Sequence, residues 1–129
     1  MTAQLFFLRA AAVLGFSAVA LGAFGAHALK QRLAPDLLEI FEVGVRYQFY
    51  HTVAILACAL APAVYWESRW LPAANGAWLV GVLIFSGSLY ALAFSGVRWL
   101  GAVTPLGGVA FLIGWALLFI AAGAAAPRG

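Results

Sequence analysis

Charge is scarce in this chain. Asp, Glu, Lys and Arg make up 9% of its 129 residues, against about 25% in soluble domains. That shortage excludes the hydrated surface of a soluble globule. The net charge of +3 comes from 7 basic and 4 acidic residues, too thinly spread to form a nucleic-acid-binding stripe, so no nucleic-acid partner is expected. Cys58 stands alone, which excludes a disulfide framework and a Cys-based zinc site and leaves a small apolar packer on a helix. The two histidines, His27 and His51, do not fall into a His-Glu-x-x-His pattern, so no metal site is expected. Ser17, Ser86, Ser88 and Ser95 lie in apolar runs, and Ser86-Gly87-Ser88 only imitates part of a Gly-x-Ser-x-Gly elbow. Gly22-x-x-Gly25 and Gly107-Gly108 lack the preceding strand and the lysine of a phosphate-cradling loop. No catalytic residue and no cofactor follow from these patterns, and the expectation is a non-enzyme.

Apolar residues are what the chain has instead, at 66% against about 45–50% in soluble domains. A charge at the centre of a membrane helix costs about 2.5–3.5 kcal/mol, so the few charges should mark water-facing ends. Residues 10–29 carry none, and such a run reaches about 30 Å as a helix, the thickness of the hydrocarbon core. A secretory signal has a shorter apolar core of about 7–15 residues, so this run reads as a span. The pattern predicts an all-α integral membrane four-helix bundle, one domain over 1–129, with spans near 8–29, 46–66, 75–95 and 105–125. A short amphipathic helix over about 35–44 is expected in the head-group plane, with Pro35 and Asp36 in its first turn and Gly44 as a bend before the second span. Pro62 should only kink the end of that span. Tyr65, Trp66 and Trp70 around Glu67, Ser68 and Arg69 mark a membrane boundary. Asn75 is a plausible cap for the third span, and Thr104-Pro105 for the fourth. Small residues at Ala18, Gly22, Gly25 and Ala26, and at Gly107, Gly108, Ala110 and Gly114, offer faces for close helix packing.

One stretch breaks the apolar pattern. Glu42, Arg46, Tyr47, Gln48, Tyr50 and His51 sit nearly side by side, and His27 closes the first apolar run. Glu42 and Arg46 have the spacing of a helical ion pair. His27 at the end of the first span and His51 at the start of the second are expected in one layer at one membrane boundary. An ionisable residue in a membrane is a site candidate because its desolvation must be offset. The layer reads first as a structural clasp of the bundle, within a non-enzymatic assembly or interaction protein. A small transporter or channel, working as an oligomer and using His27, His51 and Glu42, is the alternative, although no carboxylate lies deep in a span. A haem held between the two histidines is a further one. Membrane lipids are the expected partners, with a second copy or another membrane protein on the glycine faces.

Four spans put both termini on one side. Lys30, Arg32, Arg46 and Arg98 then face Arg9, Arg69 and Arg128 across the membrane, and the basic cluster on the connection after the first span places the termini outside. Three segments, Gly22 to Leu29 (GAFGAHAL), the Gly-x-Arg-Tyr-Gln-x-Tyr-His core within residues 41–51, and residues 100–115 (LGAVTPLGGVAFLIGW), resemble the signatures of the DUF423 family of small bacterial membrane proteins, which is similar to the eukaryotic transmembrane protein 256. The resemblance covers nearly the whole chain. It implies a four-helix inner-membrane protein and carries no catalytic assignment. It nominates Gly22, Gly25, His27, Glu42, Arg46, Tyr47, Gln48, Tyr50, His51, Pro105, Gly107 and Gly108 as important positions.

Overall fold

A computed structural model describes residues 2–124, and these form four long helices joined by short turns. Helix α1 (Ala3–His27) begins earlier than expected because the Thr2 hydroxyl accepts a bond from Leu5 N–H, at 3.3 Å, and caps it. The Gln4 amide reinforces this start by donating to the carbonyls of Ala59 and Ala61 at 2.9 and 3.2 Å. A short 3-10 turn, Leu29–Gln31, leads to α2 (Pro35–Ala59), which opens on proline at its first position with Asp36 beside it. Residues 35–44 are helical as expected, yet they are the first turns of α2 and not a separate interfacial helix. Gly44 makes no bend, because it is an approach point: a Cβ there would lie 2.8 Å from Cε1 of the Tyr90 ring, and its carbonyl accepts the Ser86 hydroxyl at 2.6 Å.

Helix α2 stops at Ala59, well short of residue 66. Pro62 lacks an N–H and disfavours helical geometry in the residue before it, so it ends the helix where a mere kink was expected. The 3-10 segment Ala63–Trp66 follows, tied back by the Trp66 indole donating to the Cys58 carbonyl at 3.1 Å. Helix α3 (Trp70–Ser95) takes Pro72 into its first turn and therefore starts before Asn75. Asn75 is no cap: it is wholly buried, with its amide donating to the Leu71 carbonyl at 2.9 Å. The helix ends at Gly96, whose φ of 71° is left-handed. Helix α4 (Thr104–Ala124) follows the 3-10 turn Arg98–Ala102, and the Thr104 hydroxyl bonds to Ser88 at 2.6 Å. The expected end of this span at 125, and Arg128, lie outside the described residues.

Successive helices run antiparallel. The start of α1 meets the end of α2 through Gln4 and Ala59, Gly44 of α2 meets Ser86 of α3, and Ser88 near the end of α3 meets Thr104 at the start of α4. Side chains of α4 also reach α2. Ile55, Trp78, Val82 and Phe111 form the larger core cluster, and Leu29, Phe41 and Ala93 a smaller one near the α1–α2 turn. Three stretches are long and apolar enough to cross a membrane: Ala3–Gln31, Trp70–Ser95 and Arg98–Ala124. Helix α2 is not among them, although a span was expected there. Its polar side chains lower its hydropathy, and several of them turn inward to be covered by the other helices. The protein is an all-α membrane bundle built around that one polar helix.

Candidate functional site

Buried residues on α2 fall at Phe41, Gly44, Gln48, His51, Thr52, Ile55 and Cys58, the three-to-four spacing of one helical face. At the middle of this face sits Gln48, 3% exposed. Its Nε2 donates to the Leu14 carbonyl at 2.9 Å and to Ser17 Oγ at 2.8 Å, both on α1, while its Oε1 accepts the Tyr90 hydroxyl of α3 at 2.7 Å. The orientation of the amide follows from chemistry, since a carbonyl can only accept and must face the NH₂ group. Ser17 passes its own proton to Leu14 O at 3.1 Å, which frees its oxygen to accept from Gln48. One side chain therefore joins three helices. Thr52 donates to the Gln48 carbonyl at 2.7 Å one turn further on.

His51, 5% exposed, lies deeper in the bundle. Its Nδ1 is 2.8 Å from the Tyr47 carbonyl, and its Nε2 is 3.1 Å from the Trp115 indole nitrogen. The carbonyl only accepts and the indole only donates. The ring is therefore held as the Nδ1–H tautomer, with both nitrogens in use. Phe111 stacks on it at 3.7 Å between ring centroids and 6° between planes. Trp115, which the sequence places unusually deep for a membrane-boundary residue, is on α4 to supply this bond.

The expected layer divides. Gln48 and His51 are buried; His27, Glu42, Arg46, Tyr47 and Tyr50 are exposed. No ion pair joins Glu42 to Arg46, which face outward; a pair forms instead between Arg98 and Asp36 at 2.6 Å, linking the turn between α3 and α4 to the start of α2. That partner holds the Asp36 carboxyl below its ordinary pKa. His27 and His51 do not share a level. Gly25 packs on the Phe41 ring, so His27 ends near that turn of α2, whereas His51 is ten residues further along, about 15 Å at 1.5 Å per residue. With that separation, and with both His51 nitrogens engaged, the two cannot ligate one haem iron. Among the described residues no cluster of three or more His, Cys, Asp or Glu could hold a metal ion.

The small residues meet their neighbours unevenly. Ala18 is buried at 2%, Gly22 meets a methyl of Val45, and Gly25 meets Phe41. At Gly107 a Cβ would collide with the backbone of Phe85, and at Gly114 with the Trp78 indole. Gly108 and Ala26 depart from the expected close packing: the space beside Gly108 is open, and Ala26 is exposed. Gly81, pressed by Phe111, was missed, and so was Gly44 as a contact. The roles of Ser86 and Tyr90 were visible only as hydroxyls four residues apart in an apolar helix. Trp78, fully buried, gave no polar signal, yet its indole nitrogen and the Asn75 Oδ1 are buried without a partner among the described residues.

Known membrane proteins resemble the chain over most of its length. The family model described as "Protein of unknown function (DUF423)" matches residues 21–108. A UPF0382 membrane protein of Haemophilus influenzae is 44% identical over 109 residues, covering 84% of this chain and 86% of the relative. The UPF0382 inner membrane protein YgdD of Escherichia coli K12 is 44% identical over 123 residues, covering 91% and 88%. YwdK of Bacillus subtilis, a UPF0382 membrane protein, is 37% identical over 116 residues, covering 90% and 94%. No solved structure matches.

Proposed function

Because the chain belongs to the DUF423 family of membrane proteins, we propose that it is a non-enzymatic inner-membrane protein with a structural or assembly role, its inward polar groups serving as the clasp of the bundle. One observation carries this reading. Gln48, His51, Ser86 and Tyr90 each bond to another side chain or to backbone, and four grooves between helices, of about 210, 200, 380 and 440 Å³, are lined without them. A transport pathway would need those groups facing an aqueous route. Helix α2, equal in length to α1 at 25 residues and packed between α1 and α3, crosses the membrane with them, with Gln48, His51 and Thr52 covered.

The apolar outer faces then meet lipid or other membrane proteins: Phe16 is 80% exposed, Leu112 69% and Phe119 83%. Arg98 bridging to Asp36 supports placing the basic connections at one end, which by the positive-inside tendency is cytoplasmic, with the termini outside. A C-terminal reporter active only in the cytoplasm overturns that orientation. The role itself is tested by reconstitution in liposomes. Proton or ion flux no greater than in empty vesicles is expected, and flux abolished by His51→Asn overturns the clasp in favour of a carrier.

A further inference from the structure

On its outer side the seam between α1 and α2 is not closed. Near one end a cavity of about 200 Å³ is lined by Gly22, Phe41, Glu42, Val45 and Arg46. Further along the same seam lies a second, of about 380 Å³, whose lining includes Ala12, Gly15, Phe49, Val53 and Leu56. On α2 the residues Val45, Phe49, Val53 and Leu56 recur at three-to-four spacing, so they form one stripe. Facing them on α1 are small residues, with Gly22 against Val45 and Gly15 against Thr52. The two cavities therefore lie along one groove with a charged head and an apolar tail.

The head has unusual chemistry for its setting. Glu42 and Arg46 are exposed, one helical turn apart, and neither has an ion-pair partner among the described residues. A guanidinium takes a phosphate in a two-bond fork, and a carboxylate beside it accepts from an ammonium. Together they are neutral, which gives a net-anionic head group no charge advantage. The tail fits the same reading, since residues 46–56 of α2 cover about 15 Å, half of a hydrocarbon core of about 30 Å. That is one leaflet's depth.

We propose that the α1–α2 seam is a binding site for a phospholipid with a primary-amine head group, its phosphate on Arg46, its ammonium on Glu42 and one acyl chain along the groove past Gly15 and Phe49. The site is on the outer seam, where Thr52 alone of the Gln48 network lines the tail cavity, and does not depend on the role of that network.

The test is native mass spectrometry of the full-length protein taken from vesicles of equal parts phosphatidylethanolamine, phosphatidylcholine and phosphatidylglycerol. Retained phosphatidylethanolamine is expected to exceed each of the others about tenfold, the scale of one charge-assisted hydrogen bond. Arg46→Gln should lower retention of every class about tenfold, while Glu42→Gln should abolish the preference for the primary amine over both the choline head group, which has no N–H to donate, and the glycerol head group, which has no ammonium. Ala12→Phe, which fills the tail groove, should lower retention with both head-group residues intact. Unchanged helical circular dichroism and elution establish that the variants fold. Equal retention of the three lipids, or retention unaffected by Arg46→Gln, overturns the proposal. So does a Val53→Cys variant that crosslinks quantitatively to a second copy in native membranes, since the seam would then be covered by protein.

Discussion

The two faces of α2 treat polarity in opposite ways. On the inner face Gln48, His51 and Thr52 are nearly inaccessible, and each side chain bonds to a neighbouring helix or to helix backbone. On the outer face Glu42 and Arg46 are exposed and make no ion pair with one another. In a chain this apolar, a polar group can be kept either by saturating it inside the bundle or by leaving it at the boundary where water and head groups reach it. Sequence proximity is therefore a poor guide to a shared site: residues only a few positions apart on one helix belong to separate environments, set by which side of α2 they occupy.

The inner face tolerates change least. Gly107→Ala should destabilise the bundle by about 3 kcal/mol, at the upper end of overpacking costs, because a Cβ there meets the Phe85 backbone, which cannot step aside as a side-chain tip can. Denaturation in mixed micelles measures it; a loss below 1 kcal/mol (about a fivefold change in equilibrium) would show that α3 and α4 can slide apart freely. His51→Phe keeps the stack on Phe111 but leaves the Trp115 indole without an acceptor. A loss of about 1–2 kcal/mol is expected, together with altered tryptophan fluorescence, and no change in either would separate α4 from the polar face.

The outer face should respond weakly. Arg46→Ala is expected to shift stability by less than about 0.5 kcal/mol, in contrast to His51, and equal effects at both positions would erase the distinction between the faces. The smallest effect belongs to the exposed Asp36–Arg98 pair. The folded carboxyl has a pKa below its ordinary 3.8, so the pair contributes at neutral pH, begins to lose its contribution as pH falls through that value, and has lost it below the folded pKa. Wild type and Asp36→Asn should therefore converge on acidification, and a gap that widens there contradicts the pairing.

Much of the fold was legible because hydrophobic runs and proline positions report helices directly. Pro35 and Thr104-Pro105 lie within one position of helix starts, and Pro62 marks the end of α2. What misled was treating a residue type as a local signal. Gly44 suggested a bend, whereas it makes room for Tyr90; Asn75 suggested a cap, whereas it is buried inside α3. The candidate site was half visible. Gln48 and His51 were singled out for their chemistry, but their partners Leu14, Ser17, Tyr90 and Trp115 come from three other helices, and only helix packing sets which face of each turns inward.

That Gln48 ties α1, α2 and α3 together is the claim on which the rest stands, and a double-mutant cycle between Gln48→Leu and Tyr90→Phe tests it most directly. Unfolding free energies of the two single variants and the double variant should give a coupling of about 0.5–2 kcal/mol. Single effects that simply add, with no coupling beyond error, would mean that the amide and the phenol do not hold one another and that the clasp is elsewhere.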